Sequence, residues 1–128
     1  MRTLGQKRAE FSLRKITGIK INKEFTSLAN SAPSMILQNG LGLTAAFWKQ
    51  KSNGTREDRY ASLLEWVREW LSECKILKST DVGSFFISLS ECEQMKYLEA
   101  QKETLALLEW VKRYANGFST EKKMENER

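Results

Sequence analysis

From Ile36 to Phe47 the chain is apolar nearly all round, and this segment constrains the fold more than any other. Ile36, Leu37, Leu41, Leu43, Ala45, Ala46 and Phe47 leave almost no polar face on a helical wheel. A helix of that kind must be enclosed by other helices, so the rest of the chain has to supply them. The composition suits this: one proline, seven glycines and many Leu, Ala, Glu, Lys and Arg residues favour helices over strands. A chain of 128 residues is long enough to bury a core without disulfides or metal.

Helical spacing recurs on both sides of that segment. The first predicted helix runs from Thr3 to Gly18, with Ala9, Leu13 and Ile16 as its core seam and Leu4 and Phe11 on the opposite face. A second stretch begins near Asn22, where Phe25, Leu28, Ala29 and Ala32 share a face. Pro33 interrupts it, because an interior proline removes a backbone bond and costs about 3 kcal/mol. The expectation is two helices, 22–31 and 33–51, or one sharply kinked helix. Gly40 and Gly42 weaken the second part, and close approach of another helix would compensate. After a turn at Ser52-Asn53-Gly54, Thr55 with Asp58 fits a weak capping pattern. The next helix then reaches Cys74 with Tyr60, Leu63, Leu64, Val67 and Leu71 as its stripe. Phe85-Phe86-Ile87 is too apolar for an exposed loop and predicts a short helix or a plug. Ser90 with Glu93 reads as a capping box for a last helix, Glu91 to Asn116, with Gly117 as its C-cap. The prediction is all-α: a single-domain bundle of about four to six helices over residues 1–118, one of them broken near Pro33. The charged tail, 119–128, is expected to be disordered.

The inventory of reactive groups is short. There is no histidine, which removes the commonest general base and zinc ligand. Cys74 and Cys92 stand far apart and read as reduced thiols. Glu69 with Glu73, and Glu99 with Glu103, could each share a helix face. Without histidine they read as solvated faces. No Walker loop or Gly-x-Gly-x-x-Gly sequence appears. No catalytic residue, metal site or cofactor is expected. No apolar run approaches the roughly 20 residues of a membrane span, and no signal-peptide pattern follows Met1. The cytoplasm is the expected compartment.

Charge is unevenly placed. Residues 1–25 hold seven basic groups (Arg2, Lys7, Arg8, Arg14, Lys15, Lys20, Lys23) against Glu10 and Glu24; the remaining basic and acidic residues balance at fourteen each. The whole net charge of +5 therefore sits in the first helix and its exit. On the wheel, Lys7 and Arg14 flank Phe11 on one side, Arg8 and Lys15 on the other. Such an arc makes a field that a polyanion would feel, although a solvated helix face has the same look. Phe11 is the one aromatic placed for a nucleic-acid contact, and it could equally dock on a protein. The four tryptophans, Trp48, Trp66, Trp70 and Trp110, have apolar neighbours that favour core roles. Gln38 and Asn39 interrupt the apolar helix; buried amides need partners, so they tie the helix to a neighbouring backbone or mark a subunit contact, the tie being favoured. Leu63-Leu64-Glu65-Trp66-Val67 recurs as Leu107-Leu108-Glu109-Trp110-Val111, through similar packing or an old duplication.

Three blocks carry a family resemblance. Gln6-Lys7-Arg8-Ala9 opens the chain. Leu28-Ala29-Asn30-Ser31-Ala32-Pro33 leads into Ile36-Leu37-Gln38-Asn39-Gly40-Leu41-Gly42, and Ala106 to Ala115 closes it. In this order and spacing they resemble the small subunit of the Cmr, or type III-B, CRISPR effector complex. The resemblance spans about residues 2–118, and 52–92 contributes little to it. It implies a non-catalytic helix bundle that stacks in a few copies along the effector, beside backbone and large subunits, and lines the groove where CRISPR RNA pairs with target RNA. Lys7, Arg8, Phe11, Arg14, Lys15, Lys20 and Lys23 are the candidate RNA- or partner-binding residues; Pro33, Gln38, Asn39, Gly40 and Trp110 are the structural ones. A competing reading is a protein–protein adaptor whose basic first helix meets an acidic partner.

Overall fold

The computed structural model describes residues 1–53, 55 and 58–119. They form six helices, α1 (Leu4–Thr17), α2 (Lys23–Asn39), α3 (Leu41–Lys51), α4 (Arg59–Glu73), α5 (Val82–Glu91) and α6 (Gln94–Gly117), with no strand among the described residues. They group into two compact units. One combines Met1–Pro33 with the described part of Ala106–Arg128; the other is Ser34–Leu105. Gly54 and residues 120–128, which include most of the expected tail, lie outside the described residues, while Ser119 is buried.

The first unit contains α1, the N-terminal part of α2 and the C-terminal part of α6. Ile16, Ile21, Phe25, Leu28, Ala29, Leu107, Leu108 and Val111 are all buried. Thr3 begins α1 with a capping box: the Gln6 N–H donates to Thr3 Oγ1 at 3.1 Å, and the Thr3 N–H donates to Gln6 Oε1 at 2.8 Å. Two of the four orphan donors of the first turn are thereby satisfied. At the start of α2 the Asn22 side chain satisfies one such donor, accepting from the Phe25 N–H at 2.8 Å. Asn116 Nδ2 donates to Asn30 Oδ1 at 2.8 Å, joining α6 to α2.

In the second unit α3, α4 and α5 pack on one another. The expected break at Pro33 is displaced: α2 runs through the proline and ends at Gly40. The lost backbone bond is offset by burial of Ala29, Ala32 and Ile36 on either side of the ring. Gly40 turns the chain because its backbone, φ 85° and ψ 163°, is open essentially to glycine alone. Its N–H donates to Ile36 O, closing α2, and its carbonyl accepts from Thr44 N, opening α3. The apolar segment is also less enclosed than expected. Leu41, Ala45 and Trp48 are buried, whereas Leu37 and Leu43 are 70% and 65% exposed.

The remaining boundaries follow local chemistry. Asp58, not Thr55, caps α4, its carboxylate accepting from the Tyr60 and Ala61 N–H groups. Ionised Asp is the better acceptor at a helix start, and Thr55 bonds to Asn53 instead. Phe85-Phe86-Ile87 lies in α5, opened by an Asp81–Ser84 capping box. Ser90 does not cap α6: it lies inside α5, donating to Ile87 O, and α6 begins at Gln94. Gly117 is the last residue of α6.

Candidate nucleic-acid interface

The basic arc is built on α1. Its capping box fixes the N-terminus, and Arg14 and Lys15 occupy the last turn, where cations complement the helix dipole. The buried seam, however, is rotated from the expected one. Ser12 and Ile16 are buried, Ala9 is half-buried, and Leu13 is 37% exposed. Ser12 reads as polar and so escaped a search for apolar periodicity; a hydroxyl can lie flat against a neighbouring helix. Its Oγ has no hydrogen-bond partner.

This rotation divides the arc. Arg8, Phe11 and Lys15 lie half-buried along the rim of the seam, while Lys7 and Arg14 stand further out and exposed. Lys15 Nζ sits 5.4 Å from the centre of the Phe11 ring, a cation–π distance. On the outer side Glu10 accepts from Arg2 at 2.7 Å and lies 3.7 Å from Arg14. These exposed ion pairs contribute little to stability; they do reduce the local field around Arg14. Lys20 and Lys23 are exposed beyond the end of α1.

Charge separates the two units. Met1–Pro33 with Ala106–Arg128 hold twelve basic and six acidic residues, net +6; Ser34–Leu105 hold nine and ten, net −1. The arc belongs to the unit that carries the excess.

The expected structural residues divide as well. Gln38 and Asn39 are exposed and do not tie the apolar helix. Gln101 and Tyr97, one turn apart on α6, perform that role. Gln101 Oε1 accepts from the Leu41 N–H at 2.9 Å, and Tyr97 Oη accepts from the Gly42 N–H at 2.8 Å. The two glycines permit it: a Cβ at either position would stand 3.2 Å from Tyr97 Oη. The available signal was Gly40-x-Gly42 itself, which required polar partners from another helix for the first N–H groups of α3. Trp48, Trp66 and Trp70 are buried, as expected, and Trp110 is half-buried.

Glu65, Glu99 and Glu103 each have a structural partner. Glu103, expected on a solvated face, is buried and accepts from Trp70 Nε1 at 2.9 Å. Glu99 pairs with Lys96 at 3.2 Å. Arg68, also buried, donates to Glu65 Oε2 at 2.9 Å and to Ser79 O at 3.0 Å, fixing the connection before α5. The hydrogen bond that Arg68 donates to Glu65 raises the Arg68 pKa, more than burial lowers it. No group of three or more Cys, Asp or Glu that could hold a metal occurs among the described residues. Neither Cys74 nor Cys92 forms a disulfide. No helix among the described residues is long and apolar enough to cross a membrane.

Residues 4–118 match the family described as CRISPR-associated protein (Cas_Cmr5). The chain belongs to the CRISPR-associated Cmr5 family. It is thus a type III-B CRISPR effector subunit, and α1 with its arc falls inside the matched region. A crystal structure of a CRISPR-associated Cmr5 family protein from Thermus thermophilus has a similar fold. The TM-score is 0.74 at 23% identity, over 92% of this chain and 99% of the Thermus chain. The six-helix architecture of the described residues is therefore that of a Cmr5 protein.

Proposed function

We propose that this Cmr5 protein is a non-catalytic structural subunit in the cytoplasm that lines the groove where CRISPR RNA pairs with target RNA in antiviral defence. Residues 1–118 act as the working domain, and 119–128 as a tail. Copies of the chain stack along the effector beside its backbone and large subunits. Lys7, Arg8, Arg14 and Lys15 face RNA phosphates, with Lys20 and Lys23 extending the track and Phe11 against sugar, base or a neighbouring subunit. One observation carries this reading: the whole charge excess lies in the unit built on α1. Contacts of this kind position a backbone without reading its sequence. A single short arc reaches few phosphates, and stacked copies raise the effective concentration of each further contact.

The test is reconstitution with the neighbouring subunits and a CRISPR RNA, using Lys7→Glu with Arg14→Glu. Each phosphate contact to a single strand contributes about 0.7 to the slope of log K against log salt. The variant should incorporate normally, bind target RNA more weakly and show a flatter slope. Unchanged RNA affinity with incorporation lost would instead make the arc a protein-docking surface.

A further inference from the structure

The C-terminal end of α6 carries an aromatic row that the arc does not explain. Trp110, Tyr114 and Phe118 follow one another at helical spacing. Ring centres are 5.9 Å apart for the first pair and 6.1 Å for the second. Phe118 lies one residue past the helix and is held in line by its N–H donating to Tyr114 O at 2.8 Å. Trp110 and Tyr114 are half-buried and Phe118 is 51% exposed.

Packing alone does not require this exposure. The same pentapeptide in α4 is followed by Trp70 where α6 has Tyr114, and there both aromatics are buried, Trp66 at 6% and Trp70 at 5%. In α6 the shared Leu-Leu-Val positions are still fully buried, so the core requirement is met while Trp110 and Tyr114 stay only half-buried. Arg113, exposed, lies three residues from Trp110 and hence beside it on the helix. The row belongs to the unit of net +6. Partly open aromatics on a cationic unit fit a polyanion with planar bases better than a neutral apolar partner.

We propose that Trp110, Tyr114 and Phe118 form a stacking surface for unpaired bases of single-stranded RNA, with Arg113 at a neighbouring phosphate. The inference rests on the RNA-facing reading of this unit and adds base contact to the phosphate contact of the arc.

Trp110 supplies its own reporter, since the other three tryptophans are buried. The full-length chain is titrated at low salt with an oligoadenylate and with an abasic furan phosphodiester of equal length. The oligoadenylate should quench the exposed part of the tryptophan emission and bind more tightly than the abasic oligomer. Trp110→Phe should abolish the quench and keep binding. Phe118→Ala and Tyr114→Ala, with folding checked by circular dichroism, should each weaken oligoadenylate binding by about fivefold or more and leave the abasic oligomer unaffected. Phe118→Tyr should restore binding.

Equal binding of the two oligomers without a change in emission would overturn the stacking surface and leave the phosphate-tracking arc in place. Absence of binding by both would overturn the stacking surface, while the arc, which reaches few phosphates in one copy, is decided by the reconstituted complex. Unchanged oligoadenylate binding by the alanine variants, with their incorporation into the complex lost, would overturn it in favour of a protein contact.

Discussion

The pentapeptide Leu-Leu-Glu-Trp-Val occurs once in each compact unit, and the two units treat it differently. In Ser34–Leu105 it lies in α4, where Leu63, Leu64, Trp66, Val67 and the following Trp70 are buried, and Trp70 donates to a buried Glu103. In the other unit it lies in α6, where the aliphatic side chains are equally buried but Trp110 and Tyr114 remain partly open. The aliphatic positions thus set the core face of each helix, and the surroundings decide what becomes of the aromatics. The near-neutral unit uses them as packing. The cationic unit keeps them at its surface.

The largest expected effect tests that difference directly. Trp70→Ala removes a buried aromatic and leaves Glu103 without its indole donor, so it should cost about 3–5 kcal/mol in urea unfolding. Trp110→Ala should cost less than half as much, because part of that ring is already in water. Equal costs would show that the two copies are packed alike. The glycines give a second contrast. Gly40→Leu forces a side chain onto a glycine-only backbone and against Tyr97 Oη, and should cost about 1–3 kcal/mol in strain alone. At Gly117 a Cβ meets nothing within 4 Å, and Gly117→Ala should stabilise the last turn by about 0.5 kcal/mol.

Smaller effects sharpen the comparison. Lys7→Glu with Arg14→Glu should change unfolding stability by no more than about 0.5 kcal/mol, since both side chains are exposed. A larger loss would make the arc part of the fold. The smallest effect concerns Asp81. Hydrogen bonds from the Ser84 backbone, then from its hydroxyl, hold the Asp81 carboxyl below its ordinary range. A carboxylate whose pKa is lower folded than unfolded stabilises the fold above its unfolded pKa and loses that contribution as pH falls through the folded one. Wild type and Asp81→Ala should therefore differ in thermal stability at neutral pH and converge in acid. A difference that persists in acid would assign the cap to geometry rather than charge.

The helices were legible because their signals are local and periodic. The bounds of α1 and the apolar stripe of α4 follow from spacing; the caps do not, since Asp58 and not Thr55 caps α4, Ser90 lies inside α5, and the capping boxes fall at Thr3 and Asp81. What escaped needed the tertiary structure. Pro33 looked decisive, yet burial on both sides carries the helix through it, and Gly40 breaks the chain because its backbone is closed to other residues. Gln38 and Asn39 looked like the buried amides, but the tie comes from Gln101 and Tyr97 across the unit, and no local pattern links positions so far apart in sequence. In the candidate site the charge excess was readable from counting alone. The rotation of α1 was not, since a buried serine is invisible to an apolar pattern. That rotation decides which cations lie on the rim and which stand in the open.

The central claim is that the cationic unit meets RNA and the near-neutral unit does not. Ultraviolet crosslinking of the assembled complex to target RNA, followed by mapping of the crosslinked peptides of this chain, tests it most directly. The account predicts crosslinks in α1 and its exit, residues 7–23, and at the end of α6, residues 110–118. Crosslinks confined to 34–105, with none in α1, would contradict it.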